Sequence, residues 1–204
     1  MARVLAVIPA RWASVRFPGK PLVDIAGKPM IQWVWERVQA VPQIDAAVVA
    51  TDSERIFTCV EQFGGRAIMT RDDHPSGTDR LGEVALHQPD FTHYLNVQGD
   101  EPLLPRDMLR TLLKALTGAP QPLIATLVHP LTSEADYHSE HVVKVVRAQG
   151  GHALYFSRSP VPHLRGADFR EALRQQLLWR HVGVYGFSKA GLTQALALPR
   201  HPLE

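Results

Sequence analysis

Residues 3–24 read RVLAVIPARWASVRFPGKPLVD. Residues 3–8 are a short apolar, β-branched run, the pattern of a strand buried on both faces, and Pro9 breaks it. Residues 10–24 follow as a long loop. After the Gly27-Lys28-Pro29 break the periodicity changes to that of a helix over residues 30–40. Strand, long loop, helix is the opening unit of an α/β fold whose parallel sheet carries loops at its carboxyl edge.

The same alternation continues along the chain. Residues 46–51 form a second strand whose end, Thr51-Asp52-Ser53, offers capping oxygens to a helix over residues 53–63, which Gly64-Gly65 terminates. Residues 66–69 make a third strand, 76–87 a helix, 92–97 a central strand, 105–117 a helix and 122–128 a strand. Residues 142–147 and 152–156 are β runs joined by Gln149-Gly150-Gly151, a hairpin signal that implies an antiparallel element. A short helix over 171–178, a strand at 181–187 and a helix at 189–198 complete the pattern. There is no internal repeat and no interdomain linker, so the 204 residues read as one domain.

The loop after the first strand holds Arg11, Arg16 and Lys20, with Gly19 allowing close backbone approach. Open α/β sheets bind ligands at this edge, and three cations there suit a triphosphate and the charge that builds on a departing pyrophosphate. It is neither the P-loop, since Pro21 follows Lys20, nor a dinucleotide fingerprint. The charges alone also fit a solvated basic loop; the position after the first strand favours the anion site. The central strand runs into Gln98-Gly99-Asp100-Glu101-Pro102, so Asp100 projects from the same edge. Taken singly, an Asp there reads equally as a turn or cap. Beside a triphosphate loop it is the acid best placed to hold magnesium, which takes one or two protein carboxylates and completes its shell with phosphate and water.

Composition excludes several classes. A net charge of +2 gives no extended basic face for nucleic acid. No segment has the roughly 20 apolar residues a membrane span needs, so no membrane insertion is expected and the cytoplasm is the default location. The single cysteine, Cys59, reads as an inert thiol on a helix and fits a reducing compartment. His138 and His141 lack a third ligand pattern for zinc, and Trp33 and Trp35 read as packing residues.

The combined motifs are specific where each alone is weak: IPARWASVRFPGKPL (8–22), VATD (49–52), HPSGTDR (74–80), NVQGDEP (96–102), VVKVV (142–146), ALYFSR (153–158) and HVGVYGF (181–187). Together they closely resemble the 3-deoxy-manno-octulosonate (Kdo) cytidylyltransferases. The resemblance implies a three-layer, Rossmann-like nucleotide-diphospho-sugar transferase fold with a mostly parallel sheet and a small antiparallel dimerisation element within 129–185. It implies transfer of CMP from CTP to Kdo with release of pyrophosphate, for lipopolysaccharide biosynthesis, by a magnesium-dependent homodimer. Carried over by motif, Arg11, Arg16 and Lys20 hold the triphosphate, Ser76, Thr78 and Arg80 line the cytidine pocket, and Asp100 binds Mg2+. Gln98, Arg158, His181 and Tyr185 face the sugar acid, Arg158 suiting its carboxylate. For Arg158, His181 and Tyr185 the alternative is a structural role at a strand.

The family's pattern continues past the point where this sequence ends, with a further helix, a strand and a second metal-binding Asp. The expectation is therefore an Asp100 without its usual partner, an exposed sheet edge and exposed apolar surface. A fragment of an active enzyme and a short nucleotide-binding or oligomerisation module both fit. Among enzymes, the rival acceptor is 8-amino-Kdo.

Overall fold

A computed structural model of the chain describes residues 2–13, 17–118, 122–166 and 168–199, which divide into two compact units. In chain order the first unit holds β1 (Val4–Ala10), a small hairpin of β2 (Asp24–Ile25) and β3 (Lys28–Pro29), α1 (Met30–Gln39), β4 (Ala46–Thr51), α2 (Glu54–Gln62), β5 (Ala67–Met69), α3 (Gly77–His87), β6 (His93–Asn96), α4 (Arg106–Thr117) and the start of β7 (Ile124–Pro130). The second unit, Thr126–Gly183, holds the rest of β7, α5 (Glu134–His138), β8 (Lys144–Arg147), β9 (Ala153–Ser157), α6 (Phe169–Arg174) and the start of β10 (Trp179–Ser188). The end of β10 and α7 (Lys189–Ala197) return to the first unit.

In the first unit the sheet order is β5-β4-β1-β6-β10. The β5, β4, β1 and β6 strands run parallel, and β10 closes antiparallel on β6. β1 is buried almost throughout because side chains on both its faces meet helices. Leu5 and Val7, with Val48 and Ala50 of β4, pack against Leu81 and Val84 of α3 and Leu192 of α7. Ile8 lies on the opposite face near Ile31 of α1, and α1 and α2 cover β4 there. Helices on both faces explain why the parallel strands read as continuous apolar runs rather than alternating ones. Leu95 is fully buried opposite Ala6 and Gly186. Leu95→Ala is expected to destabilise the fold by about 2–5 kcal/mol, measured as a lower denaturant midpoint at unchanged slope.

The chain leaves β1, forms β4 on one side, and returns to form β6 on the other. The carboxyl ends of β1 and β6 therefore flank a topological switch point, where the loops diverge and leave a crevice. This sets the place of the site.

The second unit is built on the β8–β9 antiparallel hairpin, as its Gly-Gly signal predicts; Gly151 takes a φ of 87° at the turn. Leu131, Tyr137, Ala172 and Leu178 form a small core of its own. Two helices there differ from the sequence reading. α6 begins at Phe169 rather than 171, because the Asp168 carboxylate accepts from the Arg170 amide and caps it earlier. It ends by Gln176, whose φ of 52° breaks the helix. α5 has no counterpart in the sequence reading; Ser133 caps it and Tyr137 anchors it in the core. The β2–β3 hairpin, not expected from sequence, turns through Gly27, and Trp33 of α1 donates its indole N–H to Ile25 O at 2.7 Å.

Candidate active site

In the segment after β1, the described residues Trp12 and Gly19 meet. The Gly19 amide donates to Trp12 O at 3.0 Å, and Gly19 sits at φ 72° under the Trp12 ring. A Cβ added there would lie 3.1 Å from an indole carbon, so a glycine suits both the left-handed backbone and the space. Arg11 and Lys20 are the immediate neighbours of these two contact points. Arg16 lies outside the described residues.

The carboxyl end of β6 brings Gln98, Gly99 and Asp100 to the same place. Gly99 lies against β1: a Cβ added to it would be 2.6 Å from Pro9 O. Asp100 Oδ2 accepts from Lys20 Nζ at 2.7 Å, with side chains 50% and 40% exposed respectively. An ion pair so open to solvent contributes about 0–1 kcal/mol. Either group is thus released at small cost to an incoming phosphate or cation.

A cleft of about 330 Å³ is lined by Arg11, Lys20, Ser76, Gln98 and Asp100, together with Pro9, Ala10, Pro21, Met30, Pro75, Gly77 and Gly99. Five of the side chains anticipated from sequence therefore share one wall-to-wall space. Ser76 caps α3, its Oγ accepting from the Asp79 amide at 3.2 Å, so that the helix N-terminus, with its partial positive charge, opens on the cleft. Thr78 is half-buried in the first turn. Next to the cleft, His74 and Glu83 are paired side chain to side chain. Burial alone pushes the Glu83 carboxyl up, but the His74 bond and the Arg71 amide outweigh it and hold the group below the usual range.

Arg80 requires a correction. Its side chain is wholly buried and does not line the cleft. Nη2 donates to Asp52 Oδ2 at 2.8 Å and Nη1 to Thr70 Oγ1 at 2.5 Å. A guanidinium expelled from water is stable only with such partners, and these fix it as an internal group.

Tyr185 stands opposite Asn96 on β10, its ring stacked on Phe187 with centroids 6.3 Å apart; burial pushes its hydroxyl pKa up. Arg158 and His181 belong to the second unit. Arg158 is exposed and donates to Glu140 O at 2.8 Å. His181 Nε2 is 2.8 Å from Thr126 Oγ1, its ring meets Phe156 edge-on, and burial lowers its pKa. Lys144 is fully buried, its ammonium donating to the carbonyls of Ser139, Val142 and Arg158, and burial, then the Arg158 charge, lowers its pKa. Its structural importance was missed from sequence; the signal was a charge inside the apolar run VVKVV.

Among the described residues there is no cluster of three His, Cys, Asp or Glu able to hold a metal. Asp100 offers hard carboxylate oxygens in the cleft that also holds Arg11 and Lys20. That donor fits a hard divalent cation that takes its remaining ligands from substrate phosphate and water. No helix among the described residues is long and apolar enough to cross a membrane.

A mostly parallel α/β sheet with a basic loop and a carboxylate meeting at its switch point defines an enzyme of the nucleotide-transferring class. The family model described as Cytidylyltransferase matches residues 5–199. The chain is 46% identical over 200 residues to the 3-deoxy-manno-octulosonate cytidylyltransferase of Escherichia coli, covering 98% of this chain and 78% of that protein. It is 48% identical over 202 residues to the protein of that name in Myxococcus xanthus, covering 99% and 79%. The solved structure of a CMP:2-keto-3-deoxy-manno-octonic acid synthetase complexed with CTP superposes with a TM-score of 0.90 at 43% identity, over 98% of this chain and 80% of that one. A 4-diphosphocytidyl-2C-methyl-D-erythritol synthase shares the fold, with a TM-score of 0.61 at 16% identity. The chain belongs to the cytidylyltransferase family, in the group of the 3-deoxy-manno-octulosonate cytidylyltransferases.

Proposed function

We propose that the chain transfers CMP from CTP to 3-deoxy-manno-octulosonate. The observation that carries this reading is the Lys20–Asp100 contact, which joins the phosphate loop to the carboxylate across 80 residues of sequence. The anomeric hydroxyl oxygen of the sugar acid bonds to the α-phosphorus of CTP, the bond from that phosphorus to the bridging oxygen breaks, and pyrophosphate departs with the bond's electrons. The hydroxyl proton passes to solvent.

In this reading Arg11 and Lys20 hold the triphosphate and neutralise the departing charge, a positioning and electrostatic role that supplies most of the rate in such transfers. Ser76, Gly77 and the N-terminus of α3 face the nucleoside side of the cleft, with Thr78 behind them. Gln98 and Tyr185 take the sugar acid in the first unit, and Arg158 and His181 are the second unit's own candidates for it. Asp100 would hold Mg2+, which would supply Lewis-acid charge to the substrate phosphates. On β9, Leu154, Tyr155 and Phe156 are exposed, apolar surface on both faces of the strand that suits pairing two copies of the chain.

The test is pyrophosphate release by the purified chain with CTP, Mg2+ and Kdo. Release that needs all three, with 8-amino-Kdo competing poorly, is the expected result. CTP binding by calorimetry without turnover would overturn the catalytic reading and leave a nucleotide-binding module.

A further inference from the structure

We propose that the buried Asp52–Arg80 ion pair is a positioning pair that sets the distance between the phosphate loop and the α3 wall of the cleft. Asp52 stands immediately after β4, whose last residue Thr51 is in register with Ala10 at the end of β1. Its carboxylate is divided between two elements: Oδ1 accepts the Trp12 amide at 3.3 Å, and Oδ2 accepts Arg80 Nη2 at 2.8 Å. Trp12 in turn accepts the Gly19 amide and lays its ring over Gly19, and Arg55 caps that ring from 4.8 Å. Both cations of the described loop are thus one residue from an atom that Asp52 holds directly or through Trp12.

The other end of the pair is anchored as firmly. Arg80 lies one turn after Ser76 and Gly77, which line the cleft. Its second nitrogen donates to Thr70 Oγ1, and Thr70 is tied back to the strand end, its amide and hydroxyl both donating to Thr51 O at 2.8 and 3.1 Å. The strand end, the loop and α3 are therefore joined through one carboxylate and one guanidinium, with Asp52 only 10% and Arg80 0% exposed. Buried pairs are poor sources of net stability against apolar replacements but fix geometry, because an unpaired charge in that position is so costly. Arg80 thereby acts on the nucleotide without touching it.

The inference rests on the proposed CTP site, and its test separates the two. Asp52→Asn, Arg80→Lys and the uncharged double variant Asp52→Asn with Arg80→Gln are compared with the parent by amide hydrogen exchange without ligand and by steady-state kinetics. The expected result is loss of protection at the Trp12 and Gly19 amides in Asp52→Asn and in the double variant, with partial retention in Arg80→Lys, which keeps the charge. In the same variants kcat/KM for CTP falls on the order of 10–100-fold, the scale of a misplaced reacting group, while KM for the sugar acid stays within about twofold. Unchanged loop protection, or a lowered melting temperature with unchanged CTP kinetics below it, would overturn the proposal. Should Asp52→Asn fail to fold, the Arg80→Lys exchange pattern decides alone. Absence of turnover by the parent counts against the CTP reading only, since the exchange arm needs no substrate.

Discussion

Asp100→Asn is expected to lower turnover by about 10²–10³-fold, the scale of removing one preorganised charge-stabilising group, while the protein stays folded. The substitution preserves the size of the side chain, and an amide oxygen still accepts from Lys20 Nζ. What disappears is the negative charge at the end of β6, and with it the anchor for a hard cation in a cleft whose other charged lining residues are Arg11 and Lys20. Stability changes little because the Lys20–Asp100 pair is about half exposed, and such pairs are worth about 0–1 kcal/mol in water. The signature is thus a kinetic loss without a shift in unfolding midpoint. CTP binding without metal should be unchanged or tighter, since a like charge has left the triphosphate's surroundings. Parent-like turnover at saturating Mg2+ would remove Asp100 from the proposed role.

Gly99→Ala has the second large effect, and here stability and activity fall together. The added Cβ would stand 2.6 Å from Pro9 O, with Ile31 Cδ1 at 3.4 Å and Ile8 Cγ2 at 3.6 Å. The nearest atom is backbone of the adjacent strand, so no side-chain rotation relieves the contact, and the ends of β1 and β6 must separate. Overpacking of this kind costs about 1–3 kcal/mol. The same separation moves Asp100 away from the loop, and a displacement of about 1 Å can cost on the order of 10²-fold in rate. Gly150→Ala is the control, since its Cβ would meet only a His152 ring carbon at 3.7 Å. Urea unfolding and pyrophosphate release on both variants check the contrast; equal behaviour of the two would contradict the close-packing argument.

Much of the site was legible because its residues are next to strands whose identity is local. An apolar run ending at Pro9 and another ending before Gly99 mark two strand ends, and parallel strands place such ends on one edge. Arg11, Lys20, Ser76, Gln98 and Asp100 therefore meet as their motifs indicate. Arg80 shows where this reasoning fails. A cation inside HPSGTDR looks like a ligand group when only its neighbours in sequence are known, and nothing local reports that Asp52 and Thr70 enclose it. Lys144 is the same case in the second unit. Its charge within VVKVV is visible in the sequence, but the carbonyls of Ser139, Val142 and Arg158 that receive it are assembled by the turn before β8 and the end of β9.

By itself, then, the sequence determined the order of the longer strands and helices, the β8–β9 antiparallel hairpin, and the chemistry offered at the carboxyl ends of β1 and β6, because hydrophobic period, glycine and proline breaks and residue type act over a few neighbours; the short β2–β3 hairpin and α5 were not among them. Only the tertiary structure decided which charges face the cleft and which are buried as internal ties. That choice depends on partners 10 residues away for Thr70 and 28 for Asp52, and on the low-dielectric interior that makes a charge without them too costly to keep.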